Sequence, residues 1–397
     1  IDITALAPPA DPVLTDLWKR ELDRLKEILA KRERHAAVLV GPDGVGKRAL
    51  VLAPAEERVA LVQRIHIHRA RIFYSLGHYR VAKAWVDRAL EGSDPTVSRA
   101  LGLNGSALLA CLMGDYEDAA RLTDECERLV RTRGYVMAEI PCMLSQASVA
   151  LGRWERRRAV EKVREAQTLA VTANDTEECF WAETTLGDLC RRHSNPQRAL
   201  EHHRAALEIV DKNRLAVFER VHAMAAIGMD LAVLGRDVEA RASLEETIRA
   251  ARRWGLKGSL APALFYLGWF HARAGRECDA ARALAEAMRI ADEHGHLHFF
   301  AQEAKVAMPI LALCERFGSG AFVRDKIVPM LPEKLRLQFR DLAKGKVYPT
   351  DEALGPARRR TAKAPAAGPA DTEQAVQSSV ERIESLTERQ REILKMI

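Results

Sequence analysis

Apolar and polar positions recur along this chain with a period much longer than a single helix. The run Leu76-Gly77-His78-Tyr79-Arg80-Val81-Ala82 returns as Met113-Gly114-Asp115-Tyr116-Glu117-Asp118-Ala119, then as Leu151-Gly152-Arg153-Trp154. Further on, Leu234-Gly235-Arg236-Asp237 leads to Ala240 and Ala274-Gly275-Arg276-Glu277 leads to Ala280, while Ser194 and Ala199 fill the register between them. Turn residues at 77, 114, 152, 194, 235 and 275 are separated by 37, 38, 42, 41 and 40 residues. That spacing predicts a stack of roughly six to seven helix pairs. A second glycine lies seven residues before the turn in three units, at Gly187, Gly228 and Gly268. Two helical turns separate it from the turn glycine, so both share a face, and a neighbouring helix can approach closely there.

Composition supports helices. Of 397 residues, 48% are apolar, 29% charged and only 6% aromatic, with Ala, Leu, Arg and Glu dominant. Such side chains lose little freedom in a helical turn, and the length suits two or more cores or one elongated array. The net charge of +6, from 61 basic and 55 acidic residues, is too small for bulk electrostatics to drive nucleic-acid binding, so any DNA contact must come from a local element. Seven cysteines, at 111, 126, 142, 179, 190, 278 and 314, form no C-x-x-C pair. Neither a zinc site nor a disulfide framework is indicated, and reduced, cytoplasmic thiols are expected. No apolar run of about 18 residues and no signal-peptide pattern is present. The chain opens on Ile1 rather than Met and stops at Ile397 inside a rising amphipathic pattern, so it reads as part of a longer parent.

The recurring turn, with a small residue ending one helix, an aromatic in the turn and a small residue opening the next, resembles the tetratricopeptide pattern over roughly residues 55 to 320. Its intervals exceed the standard repeat of about 34 residues, as longer helices would require. The resemblance implies a concave side lined by the first helix of each pair, where a partner or inducer binds. Tyr74, Trp181, Tyr266 and Trp269 are the candidate contacts there, against the plainer reading that each is a core residue.

Ahead of the repeats, Ala36-Ala37-Val38-Leu39-Val40 reads as a short buried strand, followed by Gly41-Pro42-Asp43-Gly44-Val45-Gly46-Lys47-Arg48 and a helix-compatible Ala49-Leu50-Val51-Leu52. Strand, glycine loop and helix come in the order a phosphate-binding loop needs. The backbone N–H groups around Gly41, Gly44, Val45 and Gly46 would cradle phosphate oxygens, and Lys47 would reach the terminal phosphates. ATP is therefore the candidate cofactor. Arg48 replaces the Ser or Thr that would hold Mg²⁺, and no apolar strand ending in paired acids follows, so neither hydrolysis nor a bound metal is expected. Together with Asp11-Pro12-Val13 and Arg20-Glu21-Leu22-Asp23-Arg24-Leu25, this segment resembles the first ATPase module of Clp-type AAA+ proteins, over about 50 residues.

Between about Tyr348 and Ser379 the pattern dissolves into Pro, Ala, Gly and charge, including Arg358-Arg359-Arg360, which is linker composition. Then comes Leu386-Thr387-Glu388-Arg389-Gln390-Arg391-Glu392-Ile393-Leu394-Lys395-Met396-Ile397. Thr387 is a good N-cap, Gln390 completes a capping box, and Leu386, Ile393, Leu394 and Ile397 form one apolar stripe. The run resembles the opening helix of the LuxR-type helix-turn-helix, with Thr387, Arg389 and Arg391 at its onset. The chain ends before any recognition helix.

Histidines offer little chemistry. His294, His296 and His298 alternate around a glycine, as suits a helix-ending turn, and lack a further ligand of metal-binding spacing. His66 with His68, and His202 with His203, do not share a face at i, i+4 and read as helix-surface residues. No Gly-x-Ser-x-Gly elbow or comparable nucleophile appears.

The expected fold is all-α: a tetratricopeptide-like helical solenoid, with a short N-terminal α/β phosphate-loop fragment and the start of a C-terminal helix-turn-helix. The segments divide as 1–53 phosphate-loop, 54–345 repeats, 346–380 flexible linker and 381–397 helix-turn-helix onset. Their order resembles that of large ATP-binding LuxR-type regulators of the maltose-activator kind. The resemblance implies a non-enzymatic cytoplasmic transcription regulator that forms a homo-oligomer, whose repeats sense a protein or small-molecule inducer and whose complete C-terminal module binds DNA. A tetratricopeptide scaffold or peptide receptor without DNA binding is the alternative.

Overall fold

The computed structural model describes residues 55–91, 97–135 and 138–344. The candidate phosphate-loop residues Gly41, Gly44, Val45, Gly46, Lys47 and Arg48, the linker, and Thr387, Arg389 and Arg391 lie outside the described residues.

Among the described residues the chain is all helical and forms six antiparallel pairs. They are α1 (Ala55–Ser75) with α2 (Tyr79–Leu90), α3 (Val97–Leu112) with α4 (Tyr116–Arg133), and α5 (Glu139–Gly152) with α6 (Arg156–Ala173). After these come α7 (Thr176–Arg192) with α8 (Pro196–Asn213), α9 (Val217–Val233) with α10 (Asp237–Trp254), and α11 (Lys257–Arg273) with α12 (Glu277–His294). A longer helix, α13 (Leu297–Arg316), opens a seventh unit that continues through irregular turns to α14 (Glu333–Ala343). The fold class is therefore the tetratricopeptide-like solenoid that the repeat spacing predicts.

Each pair turns through one residue in the left-handed conformation: Gly77, Gly114, Trp154, Ser194, Gly235 and Gly275. The third differs from the sequence expectation. Gly152 is the last residue of α5 and packs under the ring of Tyr116, while Trp154 takes φ +66° two residues later. With the turn at 154 the intervals become 37, 40, 40, 41 and 40, more regular than the sequence suggested. A second set of left-handed residues, Gly134, Asn174, Arg214, Gly255 and Gly295, ends the second helix of successive pairs at intervals of 40, 40, 41 and 40. Side-chain caps add local definition. Asp115, Asp175 and Asn195 accept from the backbone N–H groups of Asp118, Glu178 and Arg198, and Pro196 stands in the first helical turn of α8.

One packing rule runs through the repeats. Seven residues before the turn stands a small residue, and nine after it a larger one, all buried: Ala70 and Val86, Ala107 and Thr123, Ala147 and Val163, Gly187 and His203, Gly228 and Leu244, Gly268 and Leu284. In the last three pairs a β-carbon on the glycine would collide with the His203, Leu244 or Leu284 side chain. Gly187, Gly228 and Gly268 thus permit the close approach their spacing implies, and volume is exchanged across each pair to keep the core filled.

The superhelix closes on itself. Lys257 N–H donates to the Leu76 carbonyl at 2.8 Å, and a β-carbon at Gly77 would strike the backbone of Gly258. His296 Nε2 donates to the Gly77 carbonyl at 2.5 Å, and Arg80 reaches the Asp292 carbonyl at 3.0 Å. Trp154 Nε1 donates to the Met330 carbonyl at 3.3 Å, with Lys305 Nζ 5.2 Å from the indole. The turns of the first three pairs thereby rest on the start of the sixth pair and on the seventh unit. Within the ring, α13 runs against α3, α5, α7 and α11, each the first helix of its pair. It is long and apolar enough to cross a membrane, but 78% of that apolar window is buried inside the fold.

Candidate functional site

Beside the polar core that α13 closes, the first helices carry a partly exposed aromatic cluster, which we call the mouth. In the core, Arg191 on α7 is fully buried, as are Asp230 on α9 and Glu303 on α13. Arg191 Nε lies 2.9 Å from Glu303 Oε1, Nη1 lies 3.1 Å from Asp230 Oδ1, and Nη2 lies 2.6 Å from Asp188 Oδ1. Arg192 Nε donates to Glu303 Oε2 at 3.2 Å, and Tyr266 donates its hydroxyl proton to Glu303 Oε1 at 2.5 Å. Burial alone would push the Glu303 carboxyl up. The adjacent Arg191 and Arg192 guanidiniums overcome it and hold the group below the usual carboxylate range. The same two arginines hold Asp188 far below its ordinary value against its own burial.

His203 belongs to this core and not to the helix surface, which corrects the sequence reading. It is fully buried, 2.5 Å from Asp230 Oδ2 through Nδ1 and 3.2 Å from the Thr184 carbonyl through Nε2. Gly187 leaves room for its ring, as Gly228 and Gly268 do for Leu244 and Leu284. His202 lies half-buried against Glu183, 2.8 Å away. His66 is half-buried 5.3 Å from the Trp85 ring, and His68 is also only partly exposed. His294, His296 and His298 do mark a helix-ending turn, with His294 closing α12 and His296 capping α13. Among the described residues no cluster of three or more His, Cys, Asp or Glu side chains has the arrangement of a metal site.

The mouth lies where α1, α7 and α9 converge. Tyr74, Trp181 and Phe218 form a triangle of partly exposed rings, with centroids 6.3 Å apart for Tyr74 and Trp181, 5.9 Å for Tyr74 and Phe218, and 5.7 Å for Trp181 and Phe218. His222 lies 5.5 Å from Trp181, and burial drives its imidazole down to about 4. Beside the rings stand Glu177, which pairs with Arg71 of α1, then Glu178 and Glu219. Burial raises the Glu178 carboxyl to about 8, helped by the negative charges of Asp175 and Glu177. Burial likewise raises Glu219.

Of the four aromatic candidates taken from the sequence, Tyr74 and Trp181 meet at this mouth. Tyr266 is fully buried in the ion network and Trp269 is buried in the main core. Phe218, Arg71 and the three glutamates were not singled out in the sequence. They are ordinary helix residues until the superhelix brings positions 106 apart into contact.

These features define an all-α, tetratricopeptide-like solenoid closed through about one superhelical turn, with a self-filled interior and an aromatic, acidic mouth. No known family signature matches the chain, and no curated protein sequence is similar to it. Solved structures share the fold. A Rap protein complexed with competence and sporulation factor aligns over 82% of this chain and 94% of its own, at 12% identity and a TM-score of 0.57. The Rap conjugation gene regulator of plasmid pLS20, in complex with the Phr* peptide, aligns over 85% and 88%, at 13% identity and a TM-score of 0.53. NprR in complex with its cognate peptide NprX aligns over 83% and 88%, at 12% identity and a TM-score of 0.52.

Proposed function

We propose that the repeat domain is the sensing part of a regulator and that its ligand is a peptide or short protein segment received at the mouth between α1, α7 and α9. The observation that carries this reading is the ring triangle of Tyr74, Trp181 and Phe218 beside acidic side chains, where α1, α7 and α9, three first helices of pairs, come together. Aromatic side chains supply contact area at low entropic cost, and adjacent charges set orientation. The same fold, solved with bound peptides in the Rap and NprR structures, supports a peptide in preference to a sugar or nucleotide. We read the domain as a cytoplasmic receptor and assign it no enzymatic step.

The test is a random pentapeptide library screened against the protein, with hits re-measured by calorimetry on the wild type and on Trp181→Ala. Sequence-selective hits that weaken at least about tenfold in the variant support the reading, since truncating a central aromatic anchor costs on the order of 2 kcal/mol. Failure to recover any selective hit, or hits indifferent to Trp181, would remove it.

A second reading concerns output. The sequence pattern of residues 386–397, with Thr387 and Gln390 spaced as in a capping box, favours a LuxR-type DNA-binding module behind the sensor, and the glycine and lysine pattern of residues 41–47 favours nucleotide as a co-effector. Linkage would couple them: peptide or ATP that prefers one conformation shifts the population able to bind DNA. Measuring promoter binding with and without a peptide hit, and with Lys47→Ala, tests this. DNA affinity unaffected by peptide and by Lys47→Ala would leave the repeat domain a receptor without DNA output.

A further inference from the structure

Three carboxyl groups and one guanidinium share the mouth, a formal charge of −2 with all of them ionised and −1 with Glu178 protonated, as its raised value of about 8 makes it near neutral pH, so the cluster is at least one cation short of balance. Arg71 pairs with Glu177 and is more than half exposed, on a side chain 59% accessible. Glu178 and Glu219 act on Arg71 through space without closing an ion pair among the described contacts. Glu219 is only 7% exposed, and its Oε2 is buried with no hydrogen-bond partner. An unpaired buried carboxylate oxygen is costly, and native proteins rarely retain one without a use. Helix capping does not remove it. As the third residue of α9, Glu219 bonds to its own backbone N–H, which leaves the second oxygen without a partner, in a group whose charge is felt by Arg71 and the Tyr74 hydroxyl and which itself feels Glu177.

The aromatic wall is the second, independent observation. Tyr74 feels the charges of Glu177, Glu178 and Glu219, and its ring packs with Trp181, three and four residues after Glu178 and Glu177 on α7, and with Phe218, the neighbour of Glu219 on α9. Ring faces carry negative potential, and rings beside carboxylates form a familiar receptor for organic cations. We infer that this mouth is a subsite for a basic side chain of a bound peptide, with Glu219 and Glu178 as acceptors and the Tyr74, Trp181 and Phe218 rings holding the cation and its alkyl stem. The inference rests on the peptide-receptor reading above and adds the chemistry of one ligand position. Arginine fits better than lysine, because a planar guanidinium can bond two carboxylates at once while stacking on a ring. Arg71 then acts as an exposed internal competitor that the incoming cation displaces from part of the acidic cluster.

The experiment compares two N-acetylated, C-amidated alanine pentapeptides, one with arginine at the centre and one with citrulline, its uncharged near-isostere. Affinities are read from tryptophan fluorescence and calorimetry on the whole chain. The arginine peptide is expected to bind about tenfold or more tightly, as bonds to a buried charge imply. Glu219→Gln should abolish that preference, and Arg71→Gln, a change at an exposed side chain that the fold tolerates, should increase it. Equal affinities for the two peptides, or a preference unchanged in Glu219→Gln, overturn the subsite. Selective library hits that show no preference for arginine over citrulline overturn the subsite and leave the receptor reading standing. The absence of any selective hit removes both. Should Glu219→Gln fail to fold, Arg71→Gln decides the matter alone: a preference that weakens or stays constant counts against the proposal.

Discussion

Glu303 on α13 and Arg191 on α7, 112 positions apart in sequence, are joined inside the superhelix by two bonds of 2.9 and 3.3 Å, and both side chains are fully inaccessible. Their pairing ties the seventh unit to the fourth pair across the interior, so α13 is an integral part of the core. Removing one partner leaves the other charged and buried, which costs about 3–5 kcal/mol. Arg191→Met should therefore lower stability by that order, because Asp188, Asp230 and Glu303 all lose their shared cation. The Arg191→Met/Glu303→Gln double variant should be markedly less damaged than the sum of the singles, since both act on one network. Urea unfolding of the four proteins of this cycle checks the claim, and strict additivity would count against the network.

The exchange of volume across each pair makes a second prediction. Gly268 faces Leu284, whereas Ala147 and Val163 occupy the equivalent positions in the third pair and lie in one core cluster. Gly268→Ala forces a methyl into the Leu284 side chain, an overpacking worth about 1–3 kcal/mol. Adding Leu284→Val reproduces the combination already used at 147 and 163 and should recover most of the loss. Thermal melts of both variants suffice; a double variant no better than Gly268→Ala would show that the repeats do not share this register.

Left-handed residues that are not glycine offer the opposite outcome, a gain. Ser194 at φ +64° and Arg214 at φ +52° are exposed. For an L-residue that conformation costs roughly 1–2 kcal/mol. Ser194→Gly and Arg214→Gly should each stabilise by about 1 kcal/mol, partly offset by the greater freedom of glycine in the unfolded chain. Alanine at the same sites should give no such gain. Equal effects of Gly and Ala in denaturant titrations would exclude a backbone origin.

What the sequence made legible follows from the range of the interactions involved. Turn positions depend on a few adjacent residues, so five of six left-handed turns are visible as Gly or Ser at a near-constant interval. The third misleads because a glycine at 152 is present for a different reason, contact with Tyr116, while Trp154 takes the turn. The close-approach glycines were legible for the same local reason. The mouth and the ion network were not, because Arg71 meets Glu177 and Arg191 meets Glu303 only across three repeats of the superhelix. In sequence those glutamates match the many that face solvent. His203 carried a usable signal: it stands nine residues after a turn, where the next two repeats have leucine, and a polar residue at a leucine position marks a buried polar partner, here Asp230.

Acid should open the ring at its seam. His296 and His298 are both buried, and burial, aided by His294 and His78 in one case and by Arg192 in the other, drives them from 6.5 to about 4 and about 3. The Gly77 carbonyl works against the shift at His296 without cancelling it, and the Tyr79 ring lies 4.3 Å away. A histidine depressed in the folded state is neutral there while the unfolded chain takes up its proton below about 6.5. Stability therefore falls as pH drops through 6.5, and the loss from each histidine levels off only below its folded value. Between pH 7 and pH 5 that amounts to roughly 2 kcal/mol for each buried histidine. His296→Gln keeps a donor for the Gly77 carbonyl and removes the titration, so the stability difference between pH 7 and pH 5 should shrink by about that amount, whatever the variant loses at pH 7. His298→Gln should do the same, with Tyr116, 3.1 Å from His298 Nδ1, still within reach of the new amide. Urea midpoints at pH 7, 6 and 5 for the wild type and both variants provide the measurement. Identical pH slopes in all three would mean that neither imidazole excludes a proton in the folded state, and the seam would then be insensitive to acid.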